Sequence, residues 1–155
     1  MHEAAIEHLS QSDKVLARLI RRVGACRLEA RRSASPFQAL VQSVAHQQLN
    51  GTAAKTLEGI VPSSRAIARM SNEEILERLT AIRGVGPWTV EMLLIFTLGR
   101  LDILPATDFG VRKGFALTYR RKELPAPSEL LKHGERWRPY RTIASWYLWR
   151  ALDGE

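Results

Sequence analysis

Apolar residues recur at intervals of three and four along most of the chain, and no stretch alternates apolar with polar as a strand would. Val15, Leu16, Leu19, Ile20 and Val23 share one helical face that stops at Gly24. Ser35-Pro36 reads as a cap and first turn, followed by a face of Phe37, Leu40, Val41 and Val44 that ends at Asn50-Gly51. Thr52 to Leu57 is a short helical piece, and Pro62-Ser63-Ser64 connects to a brief helix through Ile67. Ser71 and Glu74 form a capping box, with Ile75, Leu76, Leu79 and Ile82 as the apolar side that follows. Arg83-Gly84-Val85-Gly86-Pro87 is a tight turn, and a helix from about Trp88 to Leu98 stops at Gly99. A loop holding Leu104-Pro105 leads into a helix beginning near Asp108. After Pro125 and Pro127 a helix runs from about Ser128 to Trp137, and Pro139 opens a last one to about Leu152. The pattern predicts one all-α domain over 1–155, built as two helical lobes with a cleft between them.

Length and composition fit this picture. A chain of 155 residues with 45% hydrophobic content can bury a core. No apolar run reaches the length of a bilayer span, and the first residues carry an acid and no apolar stretch. The expected compartment is the cytoplasm of a prokaryote, near the nucleoid. A single cysteine, Cys26, excludes an internal disulfide and a four-cysteine zinc or iron–sulfur site. Cys26 reads as semi-buried, with no neighbouring His or acid to activate it. His46 has no partner at metal-ligand spacing, so no metal is expected.

Charge adds a partner. The net charge is +7, the pI is about 10.2, and most of the basic side chains are arginine, whose planar fork suits phosphate. An acidic polymer, DNA or RNA first, fits this balance. Arg21, Arg22, Arg31 and Arg32 form either a solvated face or a stripe that meets DNA.

The sharpest local signal is Leu79 to Glu91, two helical faces joined through Gly84-Val85-Gly86. Glycine permits positive φ and close approach of the backbone to a ligand. Amides of the turn and of the next helix's first residues, Gly84 to Thr89, would form an anion site together with the helix dipole. Such a site holds phosphate without reading sequence. A plain turn between helices also uses Gly-x-Gly, so the flanking Leu79, Ile82, Thr89 and Glu91 carry the distinction.

With those flanks the segment resembles the helix-hairpin-helix of DNA-repair proteins. The resemblance extends to the base-excision DNA glycosylases of the 3-methyladenine DNA glycosylase II branch. Ser35-Pro36-Phe37 through His46-Gln47-Gln48-Leu49 resembles that family's early segment. Leu104 to Arg112 resembles the loop and helix start that carry its catalytic aspartate. Trp137-Arg138-Pro139-Tyr140-Arg141 resembles the opening of its last helix.

The resemblance implies a monofunctional glycosylase that flips an alkylated base of the 3-methyladenine type out of duplex DNA and hydrolyses its N-glycosidic bond. Asp108 would be the catalytic carboxylate, against the plainer reading of a helix cap. Trp88 stands where strand-cleaving relatives place a Schiff-base lysine, which implies base removal alone. Trp88 and Trp149 would line the base pocket, against a reading of both as core residues. Leu49 would enter the duplex as a wedge, against a buried leucine. Arg83, Arg112 and Lys113 could meet phosphates. No cofactor or metal is implied beyond a monovalent cation on the hairpin carbonyls, and with one cysteine no iron–sulfur cluster is expected. The expected partner is double-stranded DNA, with no membrane, and the expected state is a monomer.

One departure stands out. Between Gly51-Thr52-Ala53-Ala54-Lys55-Thr56 and Leu57-Glu58-Gly59-Ile60-Val61-Pro62 the family would continue through further helices, whereas here the two flanks join directly. The alternative function that follows is a DNA-binding module, weak or inactive in catalysis, that uses the hairpin to grip phosphate.

Overall fold

The computed structural model describes residues 2–30, 38 and 61–153. Among the described residues it has eight α-helices, one 3-10 turn and no strand. In chain order these are α1 (Glu3–Ser12), α2 (Lys14–Val23), α3 (Ser64–Ile67), α4 (Asn72–Thr80), α5 (Pro87–Phe96), α6 (Phe109–Thr118), α7 (Pro127–Gly134), the 3-10 turn Glu135–Trp137, and α8 (Arg141–Arg150). The all-α expectation holds. Contacts divide the chain into two compact units. One joins Met1–Leu28 to Leu101–Glu155, and the other is Glu29–Arg100. The expected helices at Ser35-Pro36 and Thr52 to Leu57, and the junction of Thr56 with Leu57, lie outside the described residues.

The unit formed by both ends of the chain is built on α1, α2, α6 and α8. Asp13 breaks α1 from α2 and caps α2, its Oδ1 accepting from the Val15 and Leu16 amides at 3.0 and 3.1 Å. The α2 face buries Leu16, Leu19 and Ile20, and α8 buries Ile143, Ala144, Tyr147 and Leu148. Each fully buried Leu or Ile contributes about 1.5–3 kcal/mol. Helices α6 and α8 approach at backbone distance. A Cβ placed on Gly114 would lie 1.9 Å from the Leu148 carbonyl oxygen, so only glycine fits there. α1 is a helix the periodicity did not indicate, because only Ala5 and Leu9 of its residues are buried. The last helix begins at Arg141 rather than at Pro139, since the chain is still turning through Arg138-Pro139-Tyr140.

A buried polar cluster ties this unit together. Asp13 Oδ2 accepts from Tyr119 Oη at 2.6 Å and Trp137 Nε1 at 3.1 Å, and His133 Nε2 lies 3.0 Å away. Burial alone would raise the Asp13 pKa. Hydrogen bonds from His133, Tyr119, the Leu16 amide and Trp137 outweigh it and hold the carboxyl well below the usual carboxylate range. Burial and the bond to Asp13 push the Tyr119 phenol far up. Trp137 is fully buried. Cys26 is half-buried, and that burial raises its thiol pKa, in keeping with an unactivated residue.

The second unit is held by α4 and α5. The Ser71 capping box is complete: Ser71 Oγ accepts from the Glu74 amide at 3.1 Å, and Glu74 Oε2 accepts from the Ser71 amide at 2.6 Å. Ile75, Leu79, Val90, Leu93, Leu94 and Ile95 form its core. The Arg100 guanidinium donates to the carbonyls of Ile67 and Met70 at 3.2 and 2.9 Å and fixes the end of α3. No helix among the described residues is long and apolar enough to cross a membrane.

Candidate functional site

Asp108 is positioned from both sides. The loop before it is buried at Ile103, Leu104 and Ala106. It is pinned to the start of α8, where Thr142 Oγ1 accepts from the Ile103 amide and the Thr142 amide donates to Leu101 O, both at 2.9 Å. Arg141 adds an ion pair to Asp102, at 2.6 Å from Nε to Oδ1. The loop closes with the Asp108 amide donating to Pro105 O at 3.0 Å. Asp108 then caps α6.

Among the described residues, two N–H donors meet one oxygen of the carboxylate. Asp108 Oδ1 accepts from the Val111 amide at 2.7 Å and from Trp149 Nε1 at 2.8 Å. The cap reading is therefore correct as far as it goes, and the indole is what a cap alone would not require. Gly110 makes room for this pair. A Cβ there would sit 2.9 Å from Trp149 Cδ1, 3.1 Å from Trp149 Nε1 and 3.1 Å from Asp108 Oδ1. Gly110 is hard to recognise in the sequence as part of the site. Its one signal is that glycine is a poor choice inside a helix unless packing demands it.

Trp149 is half-buried, so neither a core residue nor an open platform describes it fully. Its indole edge is committed to Asp108. Arg112 and Lys113 follow on α6, and Arg112 Nε donates to Pro125 O at 2.9 Å, which anchors one nitrogen of its fork within the fold.

The hairpin lies in the other unit. Gly84 has φ +88°, a conformation that favours glycine. Ile82 and Val85 are buried, and Arg83 is exposed. The expectation that the amides from Gly84 to Thr89 form an anion site needs one correction. The Val85 amide donates to Ile82 O at 3.0 Å, so Val85 closes the turn and packs its side chain inward. Gly86 caps α5, with Pro87 in the first turn, and the first bond of that helix is the Val90 amide to Gly86 O at 3.3 Å. The amides of Gly86 and Thr89 precede it and make no bond within the helix. A Cβ on Gly86 would meet nothing within 4 Å, so the space before this helix start is open. Trp88 is 46% exposed, which rules out the core reading for it. Leu49 and His46 lie outside the described residues.

No protein-family model matches the chain. The solved structure of Schizosaccharomyces pombe 3-methyladenine DNA glycosylase, Mag1, in complex with abasic DNA superposes with a TM-score of 0.82 and 33% identity, covering 95% of each chain. In curated sequence, DNA-3-methyladenine glycosylase 1 of S. pombe is 47% identical over 102 residues, which are 66% of this chain and 45% of that protein. The aligned part thus spans about half the length of that relative. The alkylbase DNA glycosidase-like protein mag2 of the same yeast is 28% identical over 198 aligned positions, covering 96% of this chain and 93% of that protein. That alignment is longer than the 155 residues present here, so mag2 carries residues without a counterpart in this chain. The fold, the hairpin and a relative matched over nearly its whole length agree, and the chain belongs to the helix-hairpin-helix family of base-excision glycosylases that includes the 3-methyladenine DNA glycosylases.

Proposed function

We propose that this chain is a monofunctional DNA glycosylase that removes alkylated bases of the 3-methyladenine type from duplex DNA. The observation that carries the reading is Asp108, a carboxylate at a helix N-terminus with Val111 and Trp149 N–H groups converging on one oxygen. A group held this way keeps its charge in a fixed place, as stabilisation of a developing cation requires.

The chemistry needs little else. An N-alkylated purine is cationic, so the N-glycosidic bond breaks with its electron pair returning to the base and no acid is needed to protonate it. The sugar becomes oxocarbenium-like, and Asp108 stabilises that charge. Water then adds at the anomeric carbon, and its proton passes to the carboxylate or to solvent. Trp88 offers an exposed ring for a cationic base by stacking and cation–π attraction. It has no amine with which to form a Schiff base, which limits the product to an abasic site.

Gly84, Gly86 and Thr89 hold a backbone phosphate through amides and the α5 dipole, and Arg83, Arg112 and Lys113 add charge around the strand. Leu49 fills the duplex where the base has left. These roles rest on the resemblance of the flanking segments. The chain acts as a monomer in the cytoplasm on this reading. We place the residues that mag2 carries in excess at the direct join of Thr56 to Leu57, on the resemblance of both flanks to the family.

The test is release of 3-methyladenine from methylated duplex DNA, with Asp108→Asn beside the natural chain. Asparagine keeps the cap. Base release by the natural chain and its loss in Asp108→Asn, with DNA affinity retained, is the expected result. DNA binding without base release by the natural chain would instead establish the binding-module alternative.

A further inference from the structure

A concavity of about 400 Å³ opens on the unit formed by the two chain ends, between α2 and the C-terminal end of α6. Val15, Leu19 and Leu117 give its lining an apolar part, and Arg18, Arg22 and Arg120 line it as well. Arg18 and Arg22 are one turn apart on α2 and so lie side by side. Arg120 follows α6 in the left-handed region, at φ +53°. No carboxylate lines the concavity, and none of the three arginine side chains has a hydrogen bond or ion pair among the described residues. Three like charges gathered without a counter-charge repel one another, and an anion between them relieves that repulsion.

We propose that this concavity is a docking site for an acidic peptide segment of a partner protein, one that presents an apolar side chain flanked by carboxylates. The apolar part of the lining is the reason to choose a peptide over a nucleic-acid backbone. A phosphodiester would satisfy the arginines and leave Val15, Leu19 and Leu117 facing charge and water, whereas an aliphatic side chain covers them. α6 has Asp108 at its N-terminal end and the concavity at its C-terminal end, separated by the helix length of about 15 Å. The site is thus separate from the carboxylate that would meet a damaged nucleotide. Electrostatic attraction would set the rate and selectivity of docking, and the apolar side chain would set its lifetime.

The experiment titrates the whole chain against a fluorescein-labelled Glu-Asp-Leu-Asp-Glu peptide, with a second peptide carrying Ser in place of Leu. Duplex DNA binding is measured in parallel. The expected results are saturable binding of the first peptide, weaker binding of the second, and a loss of roughly tenfold or more in the double variant Arg18→Glu/Arg120→Glu. Both arginines are exposed, so the fold should persist, and the neutral pair Arg18→Gln/Arg120→Gln should give an intermediate loss. Duplex DNA affinity should change less than twofold in either variant. Equal binding of both peptides, or none, would overturn the proposal. A loss of DNA affinity that parallels the loss of peptide binding would also overturn it, and would make the concavity a phosphate contact.

Discussion

Trp149 and Asp108, 41 residues apart, meet edge-on: the indole N–H donates to Oδ1 at 2.8 Å. Trp149→Phe keeps an aromatic ring and removes that donor. A hydrogen bond to a charged group contributes about 1.5–3 kcal/mol, so the single-turnover rate of base release should fall roughly 10- to 100-fold. Affinity for DNA should stay within twofold. If Trp149 acts only by stacking on the base, phenylalanine should preserve the rate. Gly110→Ala should act in the same direction, because its methyl would crowd both partners. Neither change should add to the loss already caused by Asp108→Asn.

The two hairpin glycines should respond differently to alanine. Gly84→Ala is strained by φ +88° and should cost about 1 kcal/mol of stability, seen in chemical denaturation. Gly86→Ala meets no atom and has an ordinary backbone, so stability should hold. Its methyl would nevertheless stand in the open space before α5. DNA affinity should therefore drop in Gly86→Ala, and unchanged affinity would remove that amide from any phosphate site.

Asp13 is predicted to be a large contributor to stability. Asp13→Ala would strand Tyr119, Trp137 and His133 and uncap α2, at a cost of about 3 kcal/mol or more in denaturant titration. Its pH dependence follows from a carboxyl whose folded pKa lies below the unfolded value of 3.8. The stabilisation is fully present above that unfolded value and is lost as the pH falls toward the folded one. Asp13→Asn should flatten the stability profile below about pH 4.

Gly114→Ala should be the most disruptive single methyl in this unit. Its Cβ would clash with Leu148 O, so α6 and α8 must separate. Overpacking of this kind costs about 1–3 kcal/mol or more. Base release should fall with it, because Asp108 and Trp149 sit on opposite sides of that contact. A thermal midpoint equal to that of the natural chain would contradict the close approach.

What the sequence made legible was whatever a short window encodes. The Ser71 capping box, the α2 face, the turn at Gly84 and the cap at Asp108 are each written within a few residues, and each is found in place. The Asp13 cluster was not legible because its partners lie 106, 120 and 124 residues away. The same holds for the use of Trp149. A periodic pattern places tryptophan on a helix face, but only the crossing of α6 and α8 decides whether its edge or its plane meets the carboxylate. Trp137, read as part of a helix opening, is the fully buried tryptophan. α1 escaped because a helix needing only two buried residues leaves a weak periodic signal.

The unit that holds Asp108 is closed by the first and last parts of the chain, with residues 29–100 entering and leaving it as one excursion. Topologically the hairpin unit is an insert. The named anchors of Asp108, at Pro105, Val111 and Trp149, all belong to the host. A change of length within the insert therefore removes none of these three bonding partners from the chain.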